Sequence, residues 1–117
     1  MRKRMSELIL VVSLVAKPET QKEAEEFLID LLAPTHAEEG CLLYSLHREV
    51  EDPTKIWFVE RWSSRELLDI HLRSPHIQKA LADVGKYFVE GPDIRVCEAI
   101  PGGEPAKGSI AGHATGR

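Results

Sequence analysis

Two histidines flanking a helix break, a glutamate and a tryptophan closing a strand, and a tyrosine on the strand before it are the side chains of this sequence best suited to chemistry. They are His71, His76, Glu60, Trp62 and Tyr44. An imidazole has an ordinary pKa near 6.5 and moves protons at neutral pH. His71 lies four residues after Leu67 and three after Leu68, beside the apolar edge of its helix. It is the first candidate for a catalytic proton-transfer group. The rival reading is a packed histidine bonded to a backbone carbonyl. Glu60 and Trp62 share a parity with Phe58, so all three point to one face of a strand. A carboxylate among such residues is raised in pKa by desolvation, as a catalytic acid or base requires. Its rival is an ion pair with Arg48, Arg61 or Arg65, with Trp62 as plain core. Tyr44 can donate its hydroxyl to a developing oxyanion. His71, Glu60 and Tyr44 are therefore the catalytic candidates. Trp62, Phe58, Ser13 and His76 are candidates for substrate contact: Ser13 interrupts an apolar strand and is expected to point into the cavity, and His76 sits in the first turn of a helix, where solvent is the commoner neighbour.

The elements that must position these groups are legible in hydrophobic pattern and capping signals. Residues 8–16, LILVVSLVA, are apolar at nearly every position and read as a strand covered on both faces. Thr20-Gln21-Lys22-Glu23 reads as a capping box. It opens a helix whose Ala24, Phe27, Leu28, Leu31 and Leu32 fall on one stripe. Pro34 should kink or restart that helix, and Gly40 should end it. A second strand spans 41–50. Glu51-Asp52-Pro53-Thr54 then makes a tight turn into a third strand over 55–62, where Ile56 to Val59 are β-branched or aromatic. Ser63-Ser64-Arg65-Glu66 is a second capping box. Ser74-Pro75 is a new start with proline at the first helical position. Residues 63–86 thus form a broken helix, and about 88–100 a last strand. The order is βαββαβ: an α+β, ferredoxin-like fold with a four-stranded antiparallel sheet. Two helical segments cover one sheet face, yet strands one and three are apolar at both parities. A second copy of the chain is the simplest cover for the other face.

Gly40-Cys41-Leu42-x-Tyr44 opening the second strand, Glu60-x-Trp62 ending the third, and the His71-x-x-Ser74-x-His76 corner together resemble the antibiotic biosynthesis monooxygenase (ABM) family. With a first strand ending Ala16-Lys17-Pro18-Glu19, the resemblance covers roughly residues 7–100. It implies a homodimer paired through the sheet face as a dimeric α+β barrel. It also implies an oxygenase that uses no metal, flavin or haem and acts on a phenolic, anthrone-like or quinol-like molecule with dioxygen. A deprotonated substrate of that kind reduces oxygen itself, so the protein supplies a dry pocket, a base and oxyanion donors. Haem-degrading relatives carry an asparagine on the first strand, a tryptophan on the segment leading into the helix, and a histidine further on. Here the first strand has no asparagine, and the other two positions fall on His71 and Leu81. That branch is set aside. The chain has no asparagine at all, which shifts proton abstraction to His71 or Glu60.

At 117 residues there is room for one domain. The expected division is a basic leader over 1–6, the domain over 7–100, and a flexible Gly- and Ala-rich tail over 101–117. A net charge of −4 without a basic stripe argues against nucleic acid. Arg2-Lys3-Arg4 and the run after it imitate a signal peptide, but the apolar stretch is short and lacks a small-x-small site, so a cytoplasmic protein without membrane attachment is expected. Cys41 and Cys97 read as reduced core residues, and no metal-ligand spacing is present, so no cofactor or metal is expected. Two other functions stay open. One is an isomerase or degradative enzyme for a small phosphorylated signal molecule, with Arg48, Lys55 or Arg73 holding the phosphate. The other is a dimeric ligand-binding or stress module without turnover.

Overall fold

The computed structural model describes residues 7–110. Its strands are β1 (Leu8–Ala16), β2 (Cys41–Arg48), β3 (Lys55–Trp62) and β4 (Phe88–Cys97). The helices are α1 (Gln21–Ile29), α2 (Leu32–His36), α3 (Arg65–Leu72) and α4 (Pro75–Asp83). All strand pairings are antiparallel and the spatial order is β2-β3-β1-β4. This is the expected α+β, ferredoxin-like arrangement. β1 lies in the centre with β3 on one side and β4 on the other, which is why its sequence is apolar throughout. β1 and β3 keep the bounds read from the sequence. β2 stops at Arg48, before the turn, and β4 at Cys97.

The even-numbered residues of the two central strands build the core. Leu10, Val12, Leu14 and Ala16 of β1 pack with Ile56, Phe58 and Trp62 of β3, Tyr44 of β2, Ala24 and Leu28 of α1, and Leu68 of α3. The odd-numbered residues line the other face, where Val11, Val15, Trp57 and Val59 stay half-buried. Arg61 on that face is buried and makes a bidentate pair with Glu7 at 2.6 and 2.8 Å. No helix among the described residues is long and apolar enough to cross a membrane.

Several local expectations need correction. Thr20 occupies the N-cap of α1, but its side chain makes no cap hydrogen bond; the hydroxyl turns to the Tyr87 carbonyl instead. The working cap of α3 is Ser64, whose Oγ accepts from the Leu67 amide at 3.1 Å. The N-cap is one residue later than Ser63, and with Leu67 at the third helical position the expected box gives way to a single serine cap. Ser74 does precede Pro75 at the start of α4, but its hydroxyl donates back to the His71 carbonyl at 2.7 Å. Pro34 restarts the helix, giving the short α2. Cys97 is exposed in the single chain and Cys41 half-buried; both are free thiols. Cys97 pairs across from Ile9, on the sheet face away from the helices, where the single chain does not cover it. Residues 1–6 and 111–117, which include the expected leader and the end of the tail, lie outside the described residues.

One glycine positions the site. Gly40 ends the turn before β2, and its carbonyl accepts from the Ser63 amide at 3.0 Å. A Cβ built on Gly40 would collide with Cβ of Leu67, so α3 can lie against this turn only because the side chain is missing. Gly40→Ala is expected to lower the unfolding free energy by about 1–3 kcal/mol, the usual cost of overpacking. Urea unfolding checks this; a variant as stable as the wild type would show that the contact is slack.

Candidate functional site

The tight Gly40–Leu67 contact brings the last turn of α3 over the turn that precedes β2. Leu67 and His71 are four residues apart and share a helix face, so His71 sits above Glu38. Its Nδ1 lies 2.8 Å from Glu38 Oε2. The same oxygen lies 2.9 Å from His76 Nε2, delivered by the first turn of α4. A carboxylate oxygen accepts, so both ring nitrogens donate. For neutral His71 this leaves Nε2 as a bare acceptor, and among the described residues it has no hydrogen-bond partner. His71 is only 2% exposed. Its ring lies 4.3 Å from that of Trp62 and 5.5 Å from that of Tyr44. Burial lowers its pKa, opposed by the Glu38 carboxylate and reinforced slightly by His76, so the free base prevails at neutral pH.

Beneath His71, β3 presents Glu60 and Trp62 on the same face. The Trp62 indole N–H donates to Glu60 Oε1 at 2.8 Å, and both side chains are buried. Burial raises the Glu60 pKa to about 7; the indole hydrogen bond opposes the shift and the charge of Glu38 adds to it. Of the three arginines that could have neutralised Glu60, Arg61 pairs with Glu7 and Arg48 with Glu25, and Arg65 is exposed at the start of α3. Tyr44 stacks on Phe58 with ring centroids 4.7 Å apart. Burial pushes its phenol well above the ordinary range, and the Thr35 hydroxyl pulls weakly the other way without reaching hydrogen-bond geometry.

His71, Glu60, Tyr44 and Phe58 line one cavity of about 80 Å³ between the sheet and the helices, closed by leucines and by Val84. Leu81 and Ile94, both more than 40% exposed, stand at its open side. Trp62 is fully buried behind His71 and backs the cavity without lining it. His76 faces a separate groove between α1 and α4. Ser13 must be corrected. Its odd parity places it on the opposite face of the sheet, paired across from Trp57, because a strand alternates its side chains strictly. A larger, open groove of about 810 Å³ follows the edge strand β2.

Glu38 is the residue that sequence reasoning missed. Its two partners are 33 and 38 positions away, and in the sequence it is one of two glutamates before a glycine. The only available hint was an acidic residue just ahead of the Gly40-Cys41-Leu42 strand opening. The fold also brings together a group that no spacing in the sequence signals. The fold assembles Glu38, His71 and His76 with their donor atoms within 4.8 Å of one another. Of the cations expected to hold a phosphate, Arg48 is bound to Glu25 and Lys55 lies over the Trp57 ring. Neither these nor Arg73 lines the cavity with His71.

Residues 8–83 match the family profile described as Antibiotic biosynthesis monooxygenase. The chain is 31% identical over 91 residues to the protein named Putative monooxygenase Rv0793 of Mycobacterium tuberculosis (strain ATCC 25618 / H37Rv), covering 78% of this chain and 89% of that one. The solved structure of Rv0793 superposes with a TM-score of 0.77 at 25% identity, covering 85% of this chain and all of that chain. A conserved protein from Methanosarcina mazei Go1 gives a TM-score of 0.75 at 26% identity, over 81% and 94% of the two chains.

Proposed function

The chain belongs to the antibiotic biosynthesis monooxygenase family, and from that premise we propose that it is a cofactor-independent monooxygenase acting on a small phenolic or quinol-like molecule. The observation that carries this reading is the Glu38–His71 pair at the wall of an apolar cavity; with Nδ1–H given to Glu38, the neutral ring keeps Nε2 free to accept a proton. His71 takes the acidic proton of the substrate. The resulting electron-rich anion gives its electrons to dioxygen and forms a C–O bond, and the peroxide so made takes up the proton. The O–O bond and the C–H bond of that ring carbon then break, leaving one oxygen as a carbonyl while the other departs as water. Glu38 holds the imidazole in the required tautomer and stabilises the imidazolium that forms, as an orienting carboxylate does. Glu60, able to exist as the neutral acid near pH 7, donates toward the developing oxyanion.

The cavity of about 80 Å³ is smaller than the roughly 300–1,000 Å³ of ordinary ligand sites. Single-ring quinols are therefore the first substrates to try, ahead of polycyclic anthrones, and binding requires Leu31, Leu72 or Leu81 to swing aside. Oxygen-electrode assays of purified protein against hydroquinones, catechols and anthrones test the reading. Enzyme-dependent uptake of about one O₂ per substrate supports it; no uptake above the uncatalysed rate with any of them overturns it.

The assembly is part of the same proposal. Val11, Val15, Trp57 and Val59 remain half-buried on the face away from the helices, and a second chain pairing there would cover them. Such an interface buries on the order of 2,000 Å² or more. Light scattering should give twice the chain mass of 13.1 kDa. A stable monomer at micromolar concentration would contradict the pairing.

A further inference from the structure

We propose that Glu38, His71 and His76 form a site for one first-row divalent cation, best suited to Zn²⁺, and that filling it switches off the base at His71. Two imidazole nitrogens and one carboxylate oxygen are a donor set that zinc accepts, with water in the fourth position. Glu38 Oε2 already stands 2.8 and 2.9 Å from the two nitrogens, and all three donors lie within 4.8 Å of one another. Tetrahedral zinc, with bonds of about 2.0–2.1 Å, holds its donors roughly 3.3 Å apart. The cluster reaches that spacing when Glu38 backs off from each nitrogen by about half an ångström and the two nitrogens, within 4.8 Å of one another, close on the ion, once the bridging protons have moved to the far ring nitrogens. Its supports are stiff: His71 is packed on Trp62, and the Ser74 hydroxyl ties the two helices at their joint. His76, with 22% of its side chain exposed, gives the ion a way in from the groove between α1 and α4.

The consequence for chemistry follows from the two ring nitrogens of His71. Without metal, Nδ1–H donates to Glu38 and Nε2 accepts. With zinc on Nδ1, a neutral imidazole carries its proton on Nε2, so the cavity meets a donor where it had a base. This switching half rests on the function proposed above; the binding half does not.

Untagged, chelator-treated full-length protein is titrated with Zn²⁺ by calorimetry and with Co²⁺ by visible absorption. One ion per chain is expected, with tetrahedral Co²⁺ bands. His76→Ala and Glu38→Gln should each weaken binding at least about 100-fold, the upper range for loss of even an outer partner of a metal ligand. Circular dichroism checks that both variants are folded. No stoichiometric uptake, or equal uptake by both variants, overturns the site. Where wild-type protein consumes oxygen with a quinol, one equivalent of zinc should slow it at least tenfold and a chelator restore it. Full activity of the zinc-loaded protein overturns the switch. If no form consumes oxygen, the proposed oxygenase reading fails, while the calorimetry still decides the site.

Discussion

His71→Gln is expected to lower turnover of any quinol the wild type oxidises by roughly 10²–10⁴, the range for losing a positioned general base, with the fold kept. Glutamine preserves much of the volume and can still donate to Glu38, but it has no basic nitrogen. His71→Ala is a poorer test, because the imidazole is 2% exposed and packed on Trp62. Truncation there should also cost about 2–4 kcal/mol of stability through the cavity it leaves. Steady-state oxygen uptake together with urea unfolding separates the two effects. A Gln variant with wild-type rates would remove His71 from the chemistry.

Glu60→Gln should reveal itself in the pH dependence of stability. The Glu60 pKa is about 7 in the folded chain against an ordinary 4.5, so the folded state holds this proton more tightly than the unfolded state. The contribution of the group is complete below pH 4.5 and is lost as pH rises through 7. Glutamine does not titrate. The unfolding free energy of the variant relative to wild type should therefore rise by about 2–3 kcal/mol between pH 4.5 and pH values above 7. His71, whose pKa is lowered by burial, changes stability in the opposite direction below its ordinary range. It does so in both proteins and cancels in the difference. A difference that stays flat across this window would mean that Glu60 titrates in the folded chain as it does in the unfolded one.

The strands were legible because their chemistry is local. Leu8 to Ala16 could hardly be other than a doubly covered strand, and Ile56 to Trp62 carried both β-propensity and parity. Parity also put Glu60 and Phe58 on one common face, which the structure shows to be the cavity side. Ser13 obeys the same alternation, which puts it on the opposite face; a hydroxyl in an apolar run is no guide to which face it serves. The caps were half legible: Ser and Thr mark helix starts, but which hydroxyl reaches which amide depends on backbone angles that composition does not specify. Glu38 could not be read at all. Its role depends on Gly40 admitting Leu67, and on a helix break that turns His71 and His76 toward one carboxylate oxygen. Cys97 showed the converse, since a strand residue is core only when something covers it.

Nitrogen NMR of the His71 imidazole in chelated, ligand-free protein measures the feature on which the chemistry depends. The Glu38–His71 pair requires a neutral ring at pH 7 with the proton on Nδ1 and a bare Nε2. An Nε2–H tautomer, or an imidazolium at that pH, would contradict it.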